Sequence, residues 1–261
     1  MKVSIIIPCY NEEESVARVL EKVELVKLPL DREVVVVDDG STDNSVEEVS
    51  RFKFVKLVRH QVNRGKGAAI KTGVEHASGD LVVIQDADLE YDPESIPDLI
   101  KPLMEGEADI VLGSRFRRKV SSMSISHYIG NKALSLAGSV LLGARITDIM
   151  TGHKAFTKAA YGKIDLASSG FEVETELVAK FASMDMRIVE IPIPYRRRPF
   201  GQAKINWKHG LLSFYAMLKY GRTENFYAFL AFASCFLYYM VFNFHNSLTG
   251  GPLLLTGDEP H

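Results

Sequence analysis

Near the start of the chain, Val3–Ile7, Glu33–Val37 and Leu81–Ile84 are short apolar runs bounded by polar or turn residues. Runs rich in Val and Ile, without polar alternation, suit strands covered on both faces. Helical patterns separate them. Over Glu12–Val26 the apolar positions Val16, Val19, Leu20 and Val23 recur at helical spacing, with Asn11 as the predicted N-cap. A second helix is predicted after Ser41-Thr42-Asp43 and a third from about Gly67 to His76. This alternation implies a parallel, right-handed α/β sheet over roughly the first 110 residues, with ligands at the carboxyl ends of its strands.

Farther along, the pattern predicts helices at Tyr128–Leu142 and Phe171–Met184 and a strand at Arg187–Ile193. Leu134, Leu136, Val140 and Leu141 form the apolar set of the first of these helices. The His209–Tyr220 segment is amphipathic and aromatic, and Phe226–Phe242 carries no charge. A helix over that last run would be about 25 Å long against a hydrocarbon core of about 30 Å. Spanning a bilayer, lying in its interface and docking into the core are all open readings. Aromatics at both ends of the run and the lack of Lys or Arg after Arg222 favour the membrane. If the run spans, the positive-inside rule leaves the N-terminal portion in the cytoplasm. The expected organisation is a catalytic portion over 1–222 and an apolar, membrane-associated segment over 223–261.

Composition narrows the class. The 261 residues are 46% hydrophobic and 25% charged, and 31 Lys plus Arg against 33 Asp plus Glu leave a formal charge of −2. Collagen-like, disordered and disulfide-framework classes are excluded, and the balanced charge predicts no nucleic-acid partner. Cys9 and Cys235 lie in separate apolar runs and read as buried thiols. The N-terminus lacks a signal-peptide pattern and reads as the first strand.

The chemistry concentrates at predicted strand ends. Asp86-Ala87-Asp88-Leu89-Glu90 follows an apolar strand, Pro8-Cys9-Tyr10-Asn11-Glu12 ends the first, and Asp38-Asp39-Gly40-Ser41 ends the second. Clustered carboxylates suit a hard divalent cation that also bridges diphosphate oxygens. Asn63-Arg64-Gly65-Lys66-Gly67 is a glycine-rich turn before a helix, a place where backbone amides favour an anion. A solvated basic turn is its plain alternative, since residues 51–74 hold seven Lys or Arg and no acid.

In order and spacing these segments resemble the signatures of family 2 glycosyltransferases of GT-A fold, over roughly residues 3–220. The resemblance implies an α/β fold with a mostly parallel nucleotide-sugar-binding sheet flanked by helices. To this the pattern adds a C-terminal amphipathic helix and an apolar helix. It further implies that Pro8, Tyr10, Glu12, Asp38, Asp39, Lys66, Asp86, Ala87 and Asp88 bind the donor. Asp86, Asp88 and Glu90 would hold Mg²⁺ or Mn²⁺. Gly113-Ser114-Arg115, Asp148 through Lys154, Phe171 through Leu177, and Ile191 through Lys204 further resemble the polyprenyl-phosphate hexose synthases, with the dolichyl-phosphate mannose synthases as nearest type. The pattern departs at Ala203, where Ser is expected, and at His127, where Arg is expected.

The activity so implied is inverting transfer of a hexose, from GDP-mannose or UDP-glucose, to a polyprenyl or dolichyl phosphate at a membrane. Asp86, Asp88, Arg115 and Arg198 form the implied catalytic set. Arg115, His127, Asn131, Arg198 and Lys204 would meet the acceptor phosphate. An anionic phosphate needs no base to attack, so cations matter more, and an Arg can fork onto its oxygens. Asp148 either orients a cationic residue or works near the acceptor. Glu172, Glu174 and Glu176 serve either helix-start electrostatics or hydrogen bonding, at the acceptor site or within the structure. The rival readings are transfer to a polysaccharide or protein hydroxyl, and a silent nucleotide-sugar-binding module.

Overall fold

The computed structural model describes residues 1–118, 123–198, 207–221, 224–227, 229–230 and 234. Its elements run β1 (Lys2–Cys9), α1 (Val16–Leu25), β2 (Asp31–Asp38), α2 (Ser45–Ser50), β3 (Val55–Arg59), α3 (Lys66–His76), β4 (Leu81–Ile84) and α4 (Ile96–Met104). There follow β5 (Ile110–Ser114), α5 (Ile125–Leu142), β6 (Lys154–Thr157), α6 (Lys158–Tyr161), α7 (Val173–Ser183), β7 (Ile188–Pro192) and α8 (Trp207–Tyr220). Seven strands make one sheet in the order β3-β2-β1-β4-β6-β5-β7. All neighbours are parallel except β6, which runs antiparallel to both β4 and β5.

The strand period of two divides the core into two layers. Along β1, Val3, Ile5, Ile7 and Cys9 pack on the side of α1 and α4, with Val16, Val19, Leu20, Leu99 and Ile100. Ile6 points the other way, toward Ile70 and Val74 of α3 and the apolar residues of α5, α7 and α8. Because both sides are covered, β1, β2 and β4 contain nearly unbroken buried runs. The close approach of α3 to β1 depends on Gly73, where a Cβ would overlap the Cγ2 of Ile6.

Local ends differ from the predicted ones for physical reasons. The first helix begins at Val16 with Ser15 at its N-cap, because Asn11 is diverted to tie two strand ends together. Asn11 takes a positive φ of 50°, and its Oδ1 accepts from Thr42 N at 2.8 Å while its own N donates to Ser41 Oγ at 2.9 Å. In α5 the buried residues are Ser135, Gly138, Leu141 and Leu142, whereas Leu136 is exposed. The helix turns its small residues inward, where a Cβ on Gly138 would overlap Ile149 and crowd Met217 of α8. Most of 226–242 lies outside the described residues. Among those described, no helix is long and apolar enough to cross a membrane. Packing continues past residue 222, with Asn225 Nδ2 donating to Leu141 O at 3.2 Å and Phe229 tilted against Phe214 at 5.8 Å.

Candidate active site

The carboxyl ends of β1, β2 and β4 open into a cavity of about 420 Å³. Pro8, Tyr10, Glu12, Asp39 and Lys66 line it, together with Asp86, Ala87, Asp88 and Glu90. So do Arg115, His127, Asn131 and Arg198. Asp38 is not in its wall. Its carboxylate is buried, accepts from Ser41 N at 3.3 Å and lies 3.5 Å from Arg59 Nε, so it braces the β2 turn and β3. Lys204 lies outside the described residues.

Asp39 is held on three sides. It accepts from Arg64 N at 2.9 Å and Gly65 N at 2.7 Å, and its Oδ1 lies 2.6 Å from His60 Nδ1. The ring's other nitrogen reaches Thr72 Oγ1 at 3.0 Å. The glycine-rich turn therefore uses its amides first to seat Asp39. Gly65, at φ 94°, also lies so close to Ser169 that no side chain fits there.

Three acids crowd the end of β4. Burial, followed by the charges of Asp86 and Glu90, pushes the Asp88 carboxyl up to about 7. Burial and Asp86 likewise raise Glu90. A cation would relieve this excess of negative charge, and hard oxygen donors suit Mg²⁺ or Mn²⁺. Among the described residues, no three His, Cys, Asp or Glu side chains stand ready to hold a metal together. The donor set thus fits an ion held by the Asp86 and Asp88 carboxylates and completed by ligand oxygens, with Glu90 beside them in the cavity wall.

A chain of alternating charges backs Asp86. Lys66 Nζ lies 2.5 Å from Asp86 Oδ1 and 2.8 Å from Glu174 Oε1, and the far oxygen of Glu174 pairs with the wholly buried Lys154. Burial alone would lower Lys66, but the two carboxylates hold it well above the ordinary lysine range. The preceding turn also grips Asp86, since a Cβ on Gly152 would overlap Asp86 Oδ2. Gly152 N in turn donates to the buried Tyr91 hydroxyl at 3.1 Å, and the Tyr91 ring stacks on His153.

Across the cavity, the Arg115 fork is taken. Its Nε and Nη2 donate to the two oxygens of Asp148 at 2.7 Å each, and its own N adds a third bond at 3.0 Å. The guanidinium also packs near the rings of Phe116 and Tyr195. Asp148 thus orients Arg115 through its Nε/Nη2 side, and the Nη1/Nη2 edge is what the guanidinium has left to offer a phosphate in the cavity. Arg198 is paired with Glu12, so one contact joins an implied acceptor residue to an implied donor residue. On α5, His127 and Asn131 face the cavity, whereas Ser135 is buried beneath it and accepts from Ile149 N at 3.2 Å.

Sequence reasoning did not single out Lys154 or Tyr91, and it left Glu174 unresolved. Glu174 and Glu176 do sit in the first turn of α7, yet both are buried. Glu176 accepts from Ala167 N and Ser168 N at 2.8 and 2.7 Å. The glutamates therefore satisfy backbone and lysine donors as well as the helix start. A lysine directly before Ala155-Phe156 at the start of a strand was the available signal for a buried ion pair.

The Glycosyl transferase family 2 model matches residues 4–165. A dolichol-phosphate mannosyltransferase of Pyrococcus furiosus is 34% identical over 216 residues, covering 80% of this chain and 60% of that protein. The low-salt glycan biosynthesis hexosyltransferase Agl6 of Haloferax volcanii is 30% identical, covering 79% of this chain and 51% of its own length. The chain thus spans between half and two thirds of these relatives. Among solved structures, glucosyl-3-phosphoglycerate synthase of Mycobacterium tuberculosis, in complex with Mn²⁺, UDP and glucosyl-3-phosphoglycerate, superposes with a TM-score of 0.69 at 21% identity. That superposition covers 84% of this chain and 80% of that one, and it bears on fold alone. With a matching model over most of the chain and a relative above 30% identity along four fifths of it, the chain belongs to glycosyl transferase family 2.

Proposed function

We propose that the protein transfers a hexose, mannose in first place, from a nucleotide-diphosphate sugar to a polyprenyl phosphate, with inversion at the anomeric carbon. The observation that carries this reading is a juxtaposition. A cavity with an acidic wall at β4 and the cations Lys66, Arg115 and Arg198 opens beside helices that expose apolar side chains. Ile125 is 79% exposed and Ile129 60% on α5, and Leu211 is 59% and Tyr215 62% exposed on the neighbouring α8. Such a face suits docking at a lipid surface, where the phosphate of an isoprenoid acceptor meets water. The likeness to a mannosyltransferase acting on dolichol phosphate supports both acceptor class and sugar.

In this reading Pro8, Tyr10, Glu12 and Asp39 hold the nucleoside. Asp86 and Asp88 would hold Mg²⁺ or Mn²⁺, which when bound supplies Lewis-acid stabilisation of the departing diphosphate. Lys66 adds positive charge on the same side. The acceptor phosphate, already an anion, forms its O–C1 bond as the bond from C1 to the diphosphate oxygen breaks, and no residue must remove a proton. Arg198, His127, Asn131 and the open edge of Arg115 orient that phosphate for in-line attack. Residues 1–222 supply all of these groups, and the segment 223–261 supplies membrane attachment with the catalytic portion on the cytoplasmic side.

The test is an exchange of substrates. The protein is incubated with radiolabelled GDP-mannose, UDP-glucose and UDP-N-acetylglucosamine, each against polyprenyl phosphate in vesicles and against soluble glycans. Label in the lipid phase from one donor is expected. Label only in glycans would replace this acceptor with a hydroxyl, and label in neither would leave a binding module.

A further inference from the structure

Lys154, Glu174, Lys66 and Asp86 form one line of alternating charge that runs from the core to the cavity wall. Lys154 is wholly buried and also donates to Thr151 O, so it is fixed. Glu174 spans from it to Lys66, whose ammonium occupies Asp86 Oδ1. The other oxygen, Asp86 Oδ2, lies against Gly152. Asp86 Oδ2 occupies the place a Cβ on Gly152 would take, so the carboxylate lies between that glycine and the lysine. Any cation arriving at Asp86 therefore shares that carboxylate with Lys66 or displaces the ammonium.

We propose that Lys66 and a divalent cation compete for Asp86, and that Glu174, fixed by Lys154, is the positioning residue that sets this competition. Glu174 gives Lys66 a second counter-ion, so the ammonium can leave Asp86 without being stranded in a buried site. A nucleoside diphosphate offers the released ammonium new oxygens. Cation and nucleotide then assist each other's binding through one side chain, a coupling that must be equal in both directions. The cation alone binds against the lysine and binds weakly. This inference rests on the metal reading given above.

The experiment is direct binding of Mn²⁺ to the full chain without nucleotide, read from the electron paramagnetic resonance signal of the free ion. Lys66→Met and Lys66→Gln are expected to tighten Mn²⁺ binding about tenfold, the scale of one charge-assisted hydrogen bond. Lys66→Arg, which keeps the charge, is expected to stay near the parent. Adding UDP or GDP should raise Mn²⁺ affinity more in the parent than in Lys66→Met. Two neutral variants guard against a single misfolded one, and their thermal transitions report folding. Unchanged or weaker Mn²⁺ binding in both neutral variants, or an equal gain in Lys66→Arg, overturns the competition. Should the gain in Lys66→Met survive addition of Asp86→Asn, the cation binds elsewhere and the metal reading itself fails.

Discussion

Two small features beside the end of β4, the Asp88 carboxyl and the bare Cα of Gly152, decide more than their size suggests. Asp88 carries a carboxyl that burial and its acidic neighbours push up to about 7, and in the proposed function it faces the cation. Asp88→Asn is expected to lower transfer about 10²- to 10³-fold, the usual loss when a group stabilising transition-state charge is removed. The thermal transition should hardly move. Undiminished turnover would remove Asp88 from the metal. At Gly152 the effect is steric, because an added methyl would meet Asp86 Oδ2 and Lys66 Nζ is close behind. Gly152→Ala should therefore cut turnover about tenfold or more through misplacement of Asp86, and a Gly152→Ala enzyme of full activity would show that Asp86 tolerates displacement. Neither the Gly152 contact nor the pairing of Lys154 with Glu174 was legible in the sequence. Each joins residues tens of positions apart, and spacing carries no record of such meetings. The strand-end acids were legible because chemistry alone calls for them together.

Elements were legible in proportion to how completely they are covered. The strands β1, β2 and β4 are buried on both faces and announce themselves as Val and Ile runs. By contrast β3 is an edge strand of half-exposed residues, Val55-Lys56-Leu57-Val58-Arg59, and its Lys and Arg masked it. β6 begins with a buried lysine and ends on a threonine, so its apolar content is only Ala155 and Phe156. In α5 the expected Leu134 and Leu141 do pack into the core, but Leu136 faces out, because Ser135 and Gly138 occupy the close-packed side where a leucine would not fit. At the end of the sheet opposite the cavity, Glu33 stitches β2 to β1 and to the turn before β4. It accepts from Ser4 Oγ at 2.5 Å, Ser78 N at 2.5 Å and Lys2 Nζ at 2.9 Å. Burial would raise its carboxyl, yet these donors outweigh burial and hold it at about 2. Its folded value lies below its ordinary value of 4.5, so its contribution is complete above pH 4.5 and is lost as pH falls toward 2. Glu33→Gln should cost about 1–3 kcal/mol at pH 7, and the difference from the parent should shrink in chemical denaturation near pH 3. A constant difference across that range would assign the effect to packing.

For the whole molecule, the exposed apolar side chains of α5 and α8 are the feature on which the proposed docking at a lipid surface rests. Replacing Ile129, Leu211 and Tyr215 with Asn should reduce cosedimentation with anionic vesicles at least tenfold, since each apolar side chain removed from water contributes about 1.5–3 kcal/mol. Nucleotide binding should be unaffected. Equal vesicle binding would move the lipid contact to another surface. Removing residues 235–261 while keeping the packed Asn225 and Phe229 should leave a cooperatively folding protein with poor turnover of vesicle-borne acceptor, and loss of cooperativity would make the tail part of the core. One feature of the sheet also orders events in time. The antiparallel β6 fits between β4 and β5 although it is made after both. As the chain leaves the ribosome, the first four strands can pair while β5 must wait for a neighbour not yet synthesised. The turn that brings Gly152 into the cavity wall, with the buried Lys154 behind it, takes its place only when that late strand inserts, so the charged line behind Asp86 is among the last parts of the site to form.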